Sequence, residues 1–175
     1  EMKKLIDMNA VMEFRKKALN PSHPHQTGTA QNPDIFFQNR EASNKYYDAV
    51  PAIVQEMMNK VGELTGRKYN LIDYYGAQNA DRVIVLMGSG AEAVEETVDY
   101  YKNKGENVGL IKIRLYRPFP VDAFINAIPE TVKCITVLDR TKEPGALGDP
   151  LYLDVVAALK AKNKNIDVLA GRYGL

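Results

Sequence analysis

The 175-residue chain has one cysteine, no tryptophan, no long apolar run and almost no net charge. Each scarcity excludes something. A lone thiol cannot build a disulfide framework within the chain, and it falls short of the roughly four thiolates that an iron–sulfur cluster takes. Such cysteine usage fits a reducing compartment, and a cytoplasmic protein is expected. The apolar runs are a few residues long, far below the roughly 20 needed to span a bilayer. The opening, EMKKLIDMNAVMEF, lacks the apolar centre of a signal peptide. With 23 basic against 22 acidic side chains, the chain carries no electrostatic footprint for nucleic acid or an anionic membrane. What is present is ordinary: 45% apolar and 26% charged residues, at a length that suits one domain better than two.

Along the chain the pattern changes once. Leu5, Met8, Met12, Ala18 and Leu19 recur at helical spacing, which predicts a helix over 3–19 that stops before Pro21. Residues 20–42 have no sustained period and contain three prolines and two histidines, as expected of an irregular docking arm. Phe36 and Phe37 in such an arm need a surface to cover them. Residues 50–65 predict an amphipathic helix with Ile53, Met57, Val61 and Leu64 on one stripe, Pro51 in its first turn and Gly66 as its stop. From residue 70 onward short strands alternate with helices. Strands are predicted at 70–75, 82–87, 108–115, 134–138 and 167–170, with helices to about 104, over 121–127 and to about 162. That alternation implies right-handed βαβ units and a mostly parallel sheet covered on both faces. We therefore read residues 1–175 as a single α/β domain, helices and arm over 1–69 and the alternating core over 70–175.

Few residues offer chemistry. Gly88-Ser89-Gly90 follows a strand and opens a helix in a G-x-G-x-x-A pattern, so Gly88, Ser89 and Gly90 are candidates for binding a nucleotide such as NADP or coenzyme A. The acidic residue expected for a ribose hydroxyl is absent; Arg114 or Arg117 would have to meet a 2′-phosphate instead. Glu92, Glu95 and Glu96 oppose phosphate binding, and a tight strand-to-helix turn is the simpler reading. Arg114, Arg117, Arg140 and Lys142 stand beyond the ends of two predicted strands. They either converge on a phosphate or carboxylate, or pair with Asp139, Glu143 and Asp149 and dock a neighbouring domain. Docking is favoured. His23 and His25 lack further ligands, so no metal site is expected. Cys134 reads as an inert core thiol, and no catalytic residue is proposed.

Three segments, NPSHPHQTGTAQNPDIFFQNREA (20–42), VGLIKIRLYRPFP (108–120) and DRTKEPGALGDPLYLDV (139–155), together resemble the pyruvate:ferredoxin (flavodoxin) oxidoreductases, as does RVIVLMGSGAEAVEETVDY (82–100). The resemblance implies the second domain of a large multidomain enzyme, with a three-layer α/β/α Rossmann-like fold similar to the transketolase C-terminal domain. Such a fold has five strands, one antiparallel, and 70–75 would be that strand. The parent would convert pyruvate and coenzyme A to acetyl-CoA and carbon dioxide, passing electrons to ferredoxin or flavodoxin. It would use thiamine diphosphate, magnesium and [4Fe–4S] clusters held by other domains. On this reading the chain is an excised, catalytically silent piece, consistent with its start at Glu1. Phe36, Phe37 and Arg40 become interface residues. Arg114, Arg117, Arg140 and Lys142 become candidates for coenzyme A, substrate or an interface.

Overall fold

The computed structural model describes residues 2–26, 28 and 30–174, with Met2 described by its backbone alone. The start at Glu1 and two threonines of the expected arm, Thr27 and Thr29, lie outside the described residues, as does Leu175. The chain divides into two compact units, Glu1–Lys68 and Tyr69–Leu175.

In the first unit, a 3-10 turn at Met2–Leu5 precedes α1 (Met8–Arg15), α2 (Pro33–Ala42) and α3 (Asn44–Thr65). The expected 3–19 helix is thus broken. Asp7 stands in extended backbone and its carboxylate accepts the N–H groups of Asn9 at 2.9 Å and Ala10 at 3.1 Å. A carboxylate there starts a new helix by satisfying its orphan donors. The arm is shorter than expected, because α2 occupies its second half. Pro33 sits in the first turn of α2, where a missing N–H costs nothing, and Asp34 complements the dipole. Pro51 is a second correction: α3 begins at Asn44, so the proline lies in its interior. Gly66 ends α3 as expected. Its φ of +71° and its N–H on the Gly62 carbonyl at 2.8 Å form a left-handed cap. No residue of α1, α2 or α3 is fully buried, and Ile53 and Met57 of the expected stripe are 54% and 39% exposed.

The second unit is the alternating core: β1 (Ile72–Gly76), β2 (Arg82–Met87), α4 (Gly90–Asn103), β3 (Val108–Ile113), α5 (Val121–Ala127), β4 (Cys134–Asp139), α6 (Pro150–Ala161) and β5 (Asp167–Arg172). The fold is α/β, with a five-stranded sheet in the order β1-β3-β2-β4-β5. β1 runs antiparallel to β3, and the other neighbouring pairs are parallel. The antiparallel edge strand is the one expected, though it begins at Ile72 rather than at residue 70. Asn70 turns its side chain onto Asp73 at 2.8 Å. The Leu71 carbonyl accepts the N–H groups of Arg114 and Leu115 at 3.0 and 3.1 Å, which also ends β3 early, at Ile113.

Successive strand residues alternate faces. On one face Leu86 and Leu110 pack with Ala91 and Val98 of α4, flanked by Ile84, Val94, Val108 and Leu138. On the other, Val83, Val85, Ile111, Ile135 and Val137 are buried, as are Phe124 of α5 and Leu151, Val155, Ala158 and Leu159 of α6. Parallel strands buried on both faces account for the continuous apolar runs RVIVLM and CITVLD. Cys134 departs from expectation: it is half-buried, at the amino end of β4.

Candidate functional site

The strand order fixes where a site can form. From β2 the chain crosses through α4 to β3 on one side; from β3 it crosses through α5 past β2 to β4 on the other. The connections diverge at the carboxyl ends of β2 and β4. That is the topological switch point at which open α/β sheets hold their ligands. A cleft of about 330 Å³ lies there, lined by Met87, Gly88 and Ser89 beyond β2, Leu138 to Thr141 beyond β4, and Tyr116, Pro150 and Tyr173.

One buried carboxylate lines the cleft and a second lies just outside it. Asp139, the last residue of β4, is 4% exposed, and its oxygens accept the N–H groups of Leu151 at 3.0 Å and Tyr152 at 3.1 Å. Those are orphan donors in the first turn of α6, so the carboxylate caps the helix from the sheet. Asp149, 3% exposed, accepts the Glu143 N–H at 2.8 Å and the Arg172 Nε at 2.6 Å. The Glu143 N–H first, and then the Arg172 guanidinium, hold the Asp149 carboxyl below the usual carboxylate range. Between them, Asp139 and Asp149 pin both ends of the 140–149 loop, and Leu147 stands fully exposed on it. Sequence reading assigned these acids to neighbouring cations and overlooked their role as backbone acceptors.

The four candidate cations do not converge. Arg114 Nε bonds Asp73 of β1 at 2.8 Å and its guanidinium lies over the Tyr69 ring at 4.9 Å, on the far side of β3. Arg117 Nη1 meets Asp154 Oδ2 at 2.6 Å, and its guanidinium stacks 4.0 Å from the centre of the Tyr116 ring. Burial, then the Asp154 carboxylate, raises the Tyr116 hydroxyl above its ordinary pKa. Lys142 is exposed on the loop. Of the four, Arg140 alone lines the cleft, with its Nε donating to the Gly174 carbonyl at 3.2 Å. The expected partners are also replaced: Asp73 and Asp154 take the two arginines in place of Asp139, Glu143 and Asp149. Both arginines named for a 2′-phosphate are therefore engaged elsewhere.

At the glycine turn, Gly88 has a φ of +78° and open space where a Cβ would stand. Gly90 is different. A Cβ there would lie 2.8 Å from the Tyr173 hydroxyl and 2.9 Å from its ring, so this glycine makes room for a tyrosine of the same chain. A dinucleotide would bring its pyrophosphate to that space. Glu95 forms an ion pair with Lys112 of β3, which explains one of the acids crowding α4. His23 closes a turn through its N–H to the Asn20 carbonyl at 2.9 Å, and both histidines are exposed. Among the described residues no group of three or more His, Cys, Asp or Glu side chains is placed to hold a metal ion. No helix among them is long and apolar enough to cross a membrane.

On α2, Phe36 and Phe37 are 52% and 68% exposed, and Arg40 lies over the Phe36 ring at 5.9 Å. The expected interface residues thus share one short helix and are open to solvent.

Known proteins agree with the resemblance. The family profile "Pyruvate:ferredoxin oxidoreductase core domain II" matches residues 80–174, over half of the chain. A pyruvate:ferredoxin oxidoreductase of Moorella thermoacetica is 60% identical over 175 residues, all of this chain and 15% of that protein. A pyruvate-flavodoxin oxidoreductase of Nostoc is 50% identical over 188 aligned residues, again all of this chain and 16% of the relative. Among solved structures, a 2-oxoglutarate:ferredoxin oxidoreductase from Magnetococcus marinus matches 65% of this chain and 18% of its own, at 20% identity and a TM-score of 0.42. The chain thus spans about 15% of the length of the curated relatives it matches. It belongs to the pyruvate:ferredoxin oxidoreductase core domain II family.

Proposed function

We propose that this chain acts as the second core domain of a pyruvate:ferredoxin oxidoreductase, supplying scaffold and docking surface while other domains carry the chemistry. The parent reaction takes pyruvate, coenzyme A and oxidised ferredoxin to acetyl-CoA, carbon dioxide and reduced ferredoxin, in the cytoplasm, with ferredoxin or flavodoxin as electron acceptor. The observation that carries this reading is the 60% identity to a pyruvate:ferredoxin oxidoreductase across the whole chain. The donor set here does not fit the parent's iron–sulfur clusters: the single cysteine, Cys134, is half-buried in a strand. We therefore assign the clusters to other domains of the parent, and propose that thiamine diphosphate and magnesium are held there as well.

Docking would use Phe36, Phe37 and Arg40 of α2, together with Lys142 and Leu147 on the pinned loop. A ring that is 68% exposed costs free energy unless another surface covers it. The nucleotide-binding alternative at the Gly88 turn is disfavoured by Tyr173, which fills the space beside Gly90. The test is made in the full-length enzyme. Phe36→Asp with Phe37→Asp should impair assembly, seen by sedimentation, and lower pyruvate-dependent ferredoxin reduction. Unchanged assembly and activity would refute the docking role. Pyruvate turnover by the 175-residue chain alone would refute the non-catalytic one.

A further inference from the structure

The switch-point cleft has an imbalance of hydrogen-bonding groups. Its carboxylate, its phenol oxygen and the Met87 carbonyl already have partners. Both oxygens of Asp139 receive α6 N–H groups, at 3.0 and 3.1 Å. The Tyr116 hydroxyl receives Arg117 Nη2 at 3.0 Å, and the Met87 carbonyl receives the Tyr173 hydroxyl at 3.3 Å. Just outside, Asp149 and Asp154 are taken by Arg172 and Arg117, each at 2.6 Å.

Three of its side chains, the exposed Arg140 and Ser89 and the half-buried Thr141, keep donors to spare. Arg140 spends Nε on the Gly174 carbonyl, and among the described residues no acceptor pairs with its two Nη atoms. The Ser89 side chain makes no cap to α4, and neither its Oγ nor that of Thr141 has a partner among the described residues. A guanidinium fork and two hydroxyls around one cleft, with each nearby carboxylate bonded to backbone amides or ion-paired with another arginine, is the donor set of an oxyanion site.

We infer that this cleft binds the oxyanion group of a small molecule, a carboxylate or a phosphate, with Arg140 as the charged donor and Ser89 and Thr141 as neutral ones. Size limits the ligand. A volume of about 330 Å³ stands at the lower end of the range for ligand pockets, and Tyr173 closes the side next to Gly90. A single anionic group on a compact body fits; a dinucleotide does not. The inference does not depend on the docking role, since every cleft residue lies in the Tyr69–Leu175 unit and none is on α2.

Two probes separate the sources: acetate for the carboxylate and inorganic phosphate for the phosphate. Each is titrated into the 175-residue chain at constant ionic strength and followed by backbone amide NMR shifts. The expected result is saturation by one probe, with the shifted amides confined to Met87–Ser89 and Arg140–Thr141. Arg140→Gln should weaken that binding about tenfold or more, as expected for a charge-assisted contact. Arg140→Lys should keep part of it. Arg82→Gln, at the opposite end of β2, should leave it unchanged. Absence of saturation with both probes, shifts scattered over the surface, or equal losses in Arg140→Gln and Arg82→Gln would each overturn the inference. Should Arg140→Gln fail to fold, the amide map of the unaltered chain decides by itself.

Discussion

Asp139→Asn replaces one carboxylate oxygen with an amide nitrogen and leaves the shape of the side chain unchanged. In the native chain the two oxygens accept Leu151 N–H at 3.0 Å and Tyr152 N–H at 3.1 Å, at a site that is 4% exposed. Asparagine offers one oxygen where the carboxylate offers two, and its NH2 must face the other donor at this largely buried position. Hydrogen bonds to charged groups contribute about 1.5–3 kcal/mol each, and an anion at a partly buried helix N-terminus up to about 2 kcal/mol more. Losing one bond, the charge, and the pairing of a buried N–H should cost about 3–4 kcal/mol. Asp139→Ala, which strands both donors, should cost about 4–5 kcal/mol. Urea unfolding followed by circular dichroism reads this directly. With m of about 1–3 kcal/mol/M, the midpoint should fall by at least about 1 M at unchanged m. A loss under about 1 kcal/mol for Asp139→Asn would show that water or another group satisfies the α6 amides, and the capping argument would fail.

Other consequences are as concrete. Gly90→Ala places a Cβ 2.8 Å from the Tyr173 hydroxyl and should destabilise by about 1–3 kcal/mol. Tyr173→Leu in the same chain should recover part of that, and additive losses in a double-mutant cycle would refute the proposed contact. Acid should open the 140–149 loop late. The Asp149 carboxyl is held below the unfolded value of about 3.9, so its contribution is complete above that pH and is lost as pH falls through the depressed folded value. The Glu143 amide, bonded to Asp149 at 2.8 Å, should stay protected from hydrogen exchange at pH 5, and exposure there would contradict the assignment. Asp7→Ala removes the carboxylate that caps α1 and should cost that helix about 1 kcal/mol, seen as lost helicity of Met8–Arg15 by NMR; unchanged helicity would mean α1 has another start signal.

How far the sequence could be read follows from how local each cause is. RVIVLM and CITVLD announce their strands by unbroken apolar runs, and β2, α5 and the start of β4 stand where periodicity places them. The breaks were harder. Asp7 and the Asn32-Pro33-Asp34 start of α2 carry recognisable helix-start chemistry, but one lies inside an apolar stripe and the other inside a proline-rich stretch that hides it. The cleft divides the same way. Gly88 and Ser89 are marked by a strand-to-helix turn, and Arg140 by its place after a strand. Asp139 could have been found too: a carboxylate ending a buried parallel strand, 11 residues before a proline that opens a helix, is positioned to receive the free amides of that helix. Tyr173 had no such mark. It reaches Gly90 because β5, next but one to β2 in the strand order, runs parallel to it and ends at the same sheet edge, and its hydroxyl bonds Met87, 86 residues away in the chain. Whether a glycine-rich turn admits a phosphate or a tyrosine is decided by that strand order. The same turn chemistry in Gly88-Ser89-Gly90 therefore marks the cleft but not what fits it, and Tyr173 beside Gly90 is what leaves no room there for a dinucleotide.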